Sequence, residues 1–369
     1  LYIYDRNMIL QGVIYEISSL IWTRRYWAAG EFKLLVPFTD RHVALLVKNR
    51  LIMKRGDMEA AEIRYVNISK NSQGLEEIEV QGKFITQWIG KRIVRDQITA
   101  TSGTQDILYR IVRENIISPR VAARRIPNIL LDPLDVDTGS GRINYTSEAF
   151  INALLAVETA AKAAKLGFRS RSDVRTGKHY FSVYAGRNLT ADQTENPPCI
   201  FSQEFDNITE QEYTNSVENL KTTAYVGGEE VEPRVVAEVG GGASGLDREE
   251  IFVNATDITK VYTDSAQTEI TRTDAEYLAC LLERGASELE QYAETLSFSS
   301  KINTHANLKY REDYALGDRV PSVYNRWGIK INVRITEVSE TYQQNIEEID
   351  ITFGESLPAL LTQIRQIAK

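Results

Sequence analysis

The sequence predicts an α+β protein, mainly antiparallel β, with two barrel-like tube domains and helical or α+β segments inserted between them. Three observations predict it. Side-chain polarity alternates with a period of two over residues 13–81, the same alternation returns most regularly at 329–353, and apolar stripes of helical period fall between those stretches.

The first stretch leads through Val13, Ile14, Ile17, Leu20, Ile21 and Trp22 to a turn at Ala28-Ala29-Gly30. In Glu31-Phe32-Lys33-Leu34-Leu35-Val36-Pro37, Phe32, Leu34 and Val36 share one side, and Pro37 ends ladder pairing because it has no N–H. Strands at Ile63 to Ser69 and Glu76 to Gln81 are joined by the turn residues 70–74. The period then changes. Ser102 and Gln105 read as a capping box before Ile107, Leu108, Ile111 and Val112, and a second helix follows Ser147, with Gly167 placed to stop it. Strands at Phe168 to Val174 and His179 to Tyr184 flank the turn 175–178. A third helix, about Asp274 to Leu296, opens on the capping box Thr273/Glu276 and places Leu278, Leu281, Leu282, Leu289, Tyr292 and Leu296 on one stripe. Ile329, Ile331, Val333 and Ile335 alternate with polar residues, Ile349, Ile351 and Phe353 repeat the pattern, and a short helix is expected after Pro358.

These changes divide the chain into a first β-barrel tube domain (1–97), an α+β domain with two helices (98–198), a β-rich segment with a Gly-rich loop (199–273), and a long helix followed by a second β-barrel unit and a C-terminal helix (274–369). At 369 residues the chain is longer than single cores usually grow, which agrees with several domains. Its 43% apolar and 25% charged residues are ordinary globular usage.

Charge argues against a DNA-gripping protein. Lys and Arg number 43 against 51 Asp and Glu, a net charge of −8, whereas phosphate binding needs a concentrated basic face. The cluster Arg110, Arg113, Arg120, Arg124 and Arg125 reads as a solvated face or a subunit contact. Cys199 and Cys280, the two cysteines, are too far apart for a redox or metal motif and read as buried free thiols. No apolar run reaches a membrane span and the first residues do not form a signal peptide, so a soluble, cytoplasmically made protein is expected.

Catalytic signatures are missing where they would be needed. His42, His179 and His305 each lack a second ligand at helical spacing and read as surface or strand-packing residues. Gly240 to Gly245, a hairpin tip or mobile loop, lacks the Lys-Ser/Thr ending of a phosphate loop. Asp132, Asp135 and Asp137 lack the Gly and Glu of a calcium loop and read as solvated carboxylates. No catalytic, cofactor-binding or metal residue is assigned, and no cofactor is expected.

Several stretches, in order, resemble the tail-tip hub family of siphoviruses and prophages of Gram-positive bacteria. They are Leu20 to Trp27, Gly30 to Leu34, Val80-Gln81-Gly82, Lys91 to Val94, Arg124 to Asn128, Tyr184 to Arg187, Ser244 to Glu250, Tyr314 to Val320, Ile329 to Val338 and Ile351 to Glu355. The chain is similar, more distantly, to hubs of contractile-tail baseplates and type VI secretion spikes. The resemblance implies a structural, non-enzymatic virion protein: a homotrimeric ring of two barrel-like domains per chain, joining the tail tube or distal tail protein to tip or tape-measure proteins, with viral DNA passing through the lumen without specific binding. The virion tail would be its location. A tail-associated peptidoglycan hydrolase or a host-glycan-binding module is the competing expectation.

Overall fold

The computed structural model describes residues 1–132, 142–148, 150–263, 268–343 and 346–354. Its contacts gather the chain into two compact units, both discontinuous in sequence. Unit 1 takes Leu1–Phe84, Ala185–Val217 and the chain from Glu294 onward, and unit 2 takes Ile85–Tyr184 and Glu218–Ala293.

The first segment of unit 1 follows its polarity. It holds β1 (Tyr2–Tyr4), β2 (Leu10–Val13), β3 (Ser19–Arg25), β4 (Glu31–Pro37), the short helix α1 (Asp40–Leu45), β5 (Leu51–Met53), β6 (Ala60–Lys70) and β7 (Glu76–Phe84). Phe32, Leu34 and Val36 of β4 point inward, as their spacing predicts, and pack with Ile3, Trp22, Ile63, Val80 and Phe84 in one core. The Thr39 hydroxyl caps α1 by accepting from the His42 N–H.

Unit 2 begins with β8 (Thr99–Gly103), α2 (Thr104–Val112), β9 (Ile129–Leu131), β10 (Arg142–Thr146), α3 (Ala153–Ala163), β11 (Gly167–Asp173) and β12 (Lys178–Tyr184). The helices form where the apolar stripes predict, but their ends differ. Ser102 lies in β8 and its hydroxyl donates to Asp106, so Gly103 caps α2 without a side-chain bond. Asn152, and not Ser147, caps α3, because the Ser147 hydroxyl accepts from the Ile98 N–H instead. The stop comes at Lys165, which takes the left-handed conformation, and Gly167 already belongs to β11.

After a return to unit 1 for β13 (Phe201–Ser202) and β14 (Ile208–Ser216), the chain completes unit 2 with β15 (Thr223–Gly227), β16 (Val236–Val239), β17 (Glu250–Asn254), β18 (Val261–Thr263), β19 (Glu269–Thr271) and α4 (Asp274–Gln291). The Thr273/Glu276 capping box forms as predicted. The buried face of α4 is Tyr277, Cys280, Leu281, Arg284, Gly285 and Glu288, while Leu278 and Leu282 are exposed. The small residues Cys280 and Gly285 permit this rotation: a Cβ on Gly285 would press on Val226 and Val239 of the sheet beneath. The helix ends at Gln291, so Leu296 is a strand residue. Gly240 to Gly245 is no hairpin tip, because β16 and β17 flank β15 on opposite sides and the glycine run is their crossover.

Four strands finish unit 1: β20 (Thr295–Ile302), β21 (Arg319–Tyr324), β22 (Ile329–Gln343) and β23 (Ile346–Gly354). They enclose a second core around Phe201, Phe298, Tyr314, Ile335, Ile351 and Phe353. The helix expected after Pro358 lies outside the described residues. Unit 1 is a single 13-stranded sheet whose main path runs β14-β20-β23-β22-β3-β4-β7-β6-β5-β1-β2. The two halves of this sheet are therefore continuous, joined where β22 pairs β3 from Glu337↔Arg25 to Gln343↔Ser19. Among the described residues the path stays open at both ends, so neither half closes a hydrogen-bonded barrel.

Burial in unit 2 gives one measurable property. The His179 ring is fully buried, edge-on to Trp88 at 5.3 Å with its Nδ1 2.8 Å from the Ser172 hydroxyl. Burial, and then the charge of Lys178, pushes its pKa down from 6.5 to about 4. The unfolded chain takes up a proton below 6.5 and the folded one only near 4, so stability is complete above 6.5 and falls as pH drops through that window. The loss is on the order of 3 kcal/mol. Hydrogen exchange at the β12 amides, followed from neutral pH down, should show it, and His179→Phe should remove it; an unchanged profile in the variant would place the effect elsewhere.

Candidate assembly site

The geometry of unit 1 offers two features that bear on function: the free ends of its sheet and the buried charges that hold its halves in register. At one end lies β14, nine residues long and, among the described residues, laddered to β20 alone. At the other lies β2, among the described residues laddered to β1 alone, with Leu10 exposed on it and Ile9 and Tyr15 exposed beside it. Unpaired N–H and C=O groups on such edges are templates for another strand. β14 holds no lysine or proline, but it carries Glu210 and Glu212 and a bulge between Ile208 and Glu210, so its uncharged, regular part is the stretch after Glu212.

The alternation that turns Leu20 and Trp22 inward also turns Arg24 inward. Arg24 is 5% exposed and pairs with Asp57, with Glu59 at 3.2 Å and with Glu340 at 3.2 Å. Lys54 also pairs with Glu340 and donates to the Tyr342 hydroxyl at 2.7 Å, and Arg311 lies 3.2 Å from Asp57 and 3.6 Å from Glu340. Three cations thus meet three carboxylates drawn from β3, the 54–59 turn, β22 and the loop before β21. A cleft of about 460 Å³ lined by Lys54, Tyr310, Arg311, Glu340, Tyr342 and Ile349 opens onto them.

Burial alone would raise the carboxyl pKa of Asp57, but Arg24, Arg311 and Lys54 outweigh it and hold it below its ordinary value. Glu340 behaves in the same way: burial is opposed by Arg24, Lys54 and Arg311, and the outcome is a lowered pKa. Burial pulls Lys54 down against the field of Glu340. The balanced cluster adds little net stability over apolar packing, yet removing one member leaves uncompensated charge in a dry site.

Stretches far apart in sequence meet as packing pairs. Arg187 grips Asp318 through Nε at 3.1 Å and Nη2 at 2.7 Å, and its backbone N–H donates to the same carboxylate at 2.8 Å. Gly186 lies against Gly317, where a Cβ would overlap the Gly317 carbonyl. Gly82, opposite Phe32 in the β4–β7 ladder, likewise leaves room only for hydrogen against the Glu62 carbonyl. These residues are close packing and ion-pair contacts.

The other residues singled out in the sequence stay apart. His42 is buried beside the Pro37 carbonyl, and His305 is exposed. Both cysteines are buried free thiols, and burial pushes the Cys199 thiol up to about 12. Asp132 is not a solvated carboxylate but is buried against Arg171, which donates to it from Nε and Nη2 at 2.9 and 2.8 Å. Asp135 and Asp137 lie outside the described residues. Among the described residues no His, Cys, Asp and Glu cluster is positioned to hold a metal, and no helix is long and apolar enough to cross a membrane. The charge cluster escaped sequence reasoning, although the inward phase of Arg24 was a readable signal.

This fold is the one found in phage tail proteins. The tail protein from Neisseria meningitidis MC58 is similar over 96% of both chains at 10% identity, with a TM-score of 0.55. The prophage tail protein gp18 from Listeria monocytogenes EGD-e matches 99% of this chain and 97% of its own at 11% identity and a TM-score of 0.54. The 43 kDa tail protein of prophage MuSo2 from Shewanella oneidensis matches 93% and 95% at 12% identity and a TM-score of 0.55. Residues 1–355 match the family described as Siphovirus ReqiPepy6 Gp37-like protein, and the chain belongs to that family. No curated protein matches the sequence. Each of these three neighbours is described as a tail protein.

The charge cluster makes a direct prediction. Arg24→Met should lower the stability of unit 1 by about 3–5 kcal/mol in denaturant at neutral pH, because three buried carboxylates lose their shared cation. The folded pKa values of Asp57 and Glu340 lie below 3.8 and 4.5, so their contribution is complete above those values and is lost as pH falls through the lower folded ones. Acid sensitivity in that range should be blunted in the variant. Wild-type stability in Arg24→Met would show that the cluster does not join the halves.

Proposed function

We propose that this chain is a structural hub of a phage or prophage tail tip, and that copies of it pair through unlike sheet edges to form a threefold ring around a conduit for DNA. The single observation that carries the reading is the open strand path of unit 1, which ends on β14 at one side and β2 at the other. Two unlike edges favour head-to-tail contacts, and such contacts close into a ring when the rotation between copies returns on itself. The tail-protein fold and the family membership support the setting. The ring would join the tail tube or distal tail protein to tip or tape-measure proteins and would occupy the virion tail. DNA would pass through the lumen without sequence reading.

Native mass measurement over a concentration series, with negative-stain images, tests this. The expected result is a species of three times the chain mass with ring-shaped views. Leu10→Lys, which charges an exposed position on the β2 edge, should shift the population to monomer without changing the far-ultraviolet spectrum. A monomer at every concentration, a twofold dimer, or a ring indifferent to Leu10→Lys would contradict the proposal.

A further inference from the structure

Unit 2 carries two surfaces of opposite charge, each with apolar side chains exposed among the charges. The basic one gathers residues 91–96 and 120–125, which hold six basic groups against Asp96, a balance of 6 − 1 = +5. Hydrogen bonds bring these stretches together: the Arg92 Nε donates to the Arg124 carbonyl at 2.7 Å, and the Arg124 guanidinium donates to the Ile93 carbonyl. Residues 150–152 join them, since the Phe150 N–H donates to the Val94 carbonyl at 3.1 Å and Asn152 bridges to Ile93. Ile93, Phe150 and Leu155 are exposed here, and so are Arg95 and Arg125, whose side chains make no ion pair among the described residues.

Phe150 is held outward at a cost. It is 66% exposed with a φ of 59°, in the left-handed region that bulky residues rarely occupy. A strained aromatic facing solvent contributes little to the core of its own chain, and strain of this kind collects at binding sites. Aromatic anchors beside arginine are the anatomy of a protein interface. A ligand recognised by charge alone would leave Phe150, Ile93 and Leu155 in water.

The acidic surface is the outer side of the β15–β17 sheet with the hairpin that leads into β16. Ala224, Val226, Ala237 and Val253 pack beneath α4, which turns Val236, Glu238 and Phe252 to the other side. Residues 229–238 hold four glutamates against Arg234, a balance of 1 − 4 = −3. Arg234 is engaged by the Gly228 carbonyl and Asn254 and lies 5.5 Å from the centre of the Phe252 ring. Glu230 and Glu232 are exposed and make no ion pair among the described residues, and Val231, Val236 and Phe252 are exposed with them.

A surface of charge +5 cannot face its own copy across a twofold axis without setting like charges together, so copies that meet through it join unlike faces. We propose that the Arg95/Arg125/Phe150 surface of one copy seats the Glu230/Glu232/Phe252 surface of a second copy in a head-to-tail contact. Every chain carries both halves of this contact, which is the condition for it to repeat around a ring. The inference rests on the proposed association of copies and adds a unit 2 contact to the sheet-edge contact of unit 1.

Sedimentation equilibrium of the full chain, with a melting curve for each variant, tests it. Arg95→Glu/Arg125→Glu reverses one face and Glu230→Arg/Glu232→Arg the other. Each should weaken association at least about tenfold at unchanged melting temperature, and the variant carrying all four changes should regain wild-type association. Phe150→Gly should weaken association without lowering the melting temperature, because glycine takes the left-handed conformation freely. Association that resists both reversals, or that the fourfold variant does not regain, overturns the contact and leaves the ring standing. Weakening by reversal of the basic face alone would assign that face to another acidic segment and overturns the contact as well. Sensitivity to both reversals with indifference to Leu10→Lys upholds the contact and overturns the sheet-edge ring instead. A wild-type chain that is monomeric at every concentration overturns both.

Discussion

Arg24 stands where two halves of a sheet meet, and its burial fixes how they meet. On β3, Leu20, Trp22 and Arg24 face inward; across the β3–β22 ladder they oppose Tyr342, Glu340 and Val338. A slip of one residue would turn Trp22 to solvent and separate Arg24 from Glu340, because side chains alternate sides with each step. Hydrophobic burial sets the phase and the ion cluster penalises the wrong register. From that junction follow the continuous sheet, its two open ends, and the opportunity for other strands to add to them.

The same kind of constraint holds other stretches of unit 1 in place. Leu20 to Trp27 supplies Trp22 and Arg24, Val80 to Gly82 supplies the close crossing opposite Phe32, and Tyr184 to Arg187 meets Tyr314 to Val320 through Gly186, Gly317 and the Arg187–Asp318 pair. Each is a place where only a particular size or charge fits.

Much of the fold was legible because one-sided burial writes itself into period-two alternation. That is why β4, β6, β7, β11, β12, β22 and β23 fall where Phe32 to Val36, Ile63 to Ser69, Glu76 to Gln81, Phe168 to Tyr184 and Ile329 to Phe353 predict them. The Thr273/Glu276 box formed because both partners are local. Non-local choices were not legible. Ser147 had a strand backbone to cap in place of a helix, Asp132 found Arg171 across a sheet, and α4 turned its small residues inward because Val226 and Val239 approach closely. Nor does a linear reading reveal that unit 1 recruits β13 and β14 from the middle of the chain. The assembly site was legible only in part: Arg24 announced itself by phase, whereas Asp57, Arg311 and Glu340 are brought to it by folding.

The central claim is that β14 and β2, the end strands of the unit 1 sheet among the described residues, gain partners when copies associate. Hydrogen exchange of the amides in Ile208–Ser216 and Leu10–Val13, compared between dilute monomer and assembled tail tip, tests it most directly. The account predicts that both segments gain protection together on assembly. Assembly that protects other surfaces while both segments exchange as fast as in the monomer would contradict it.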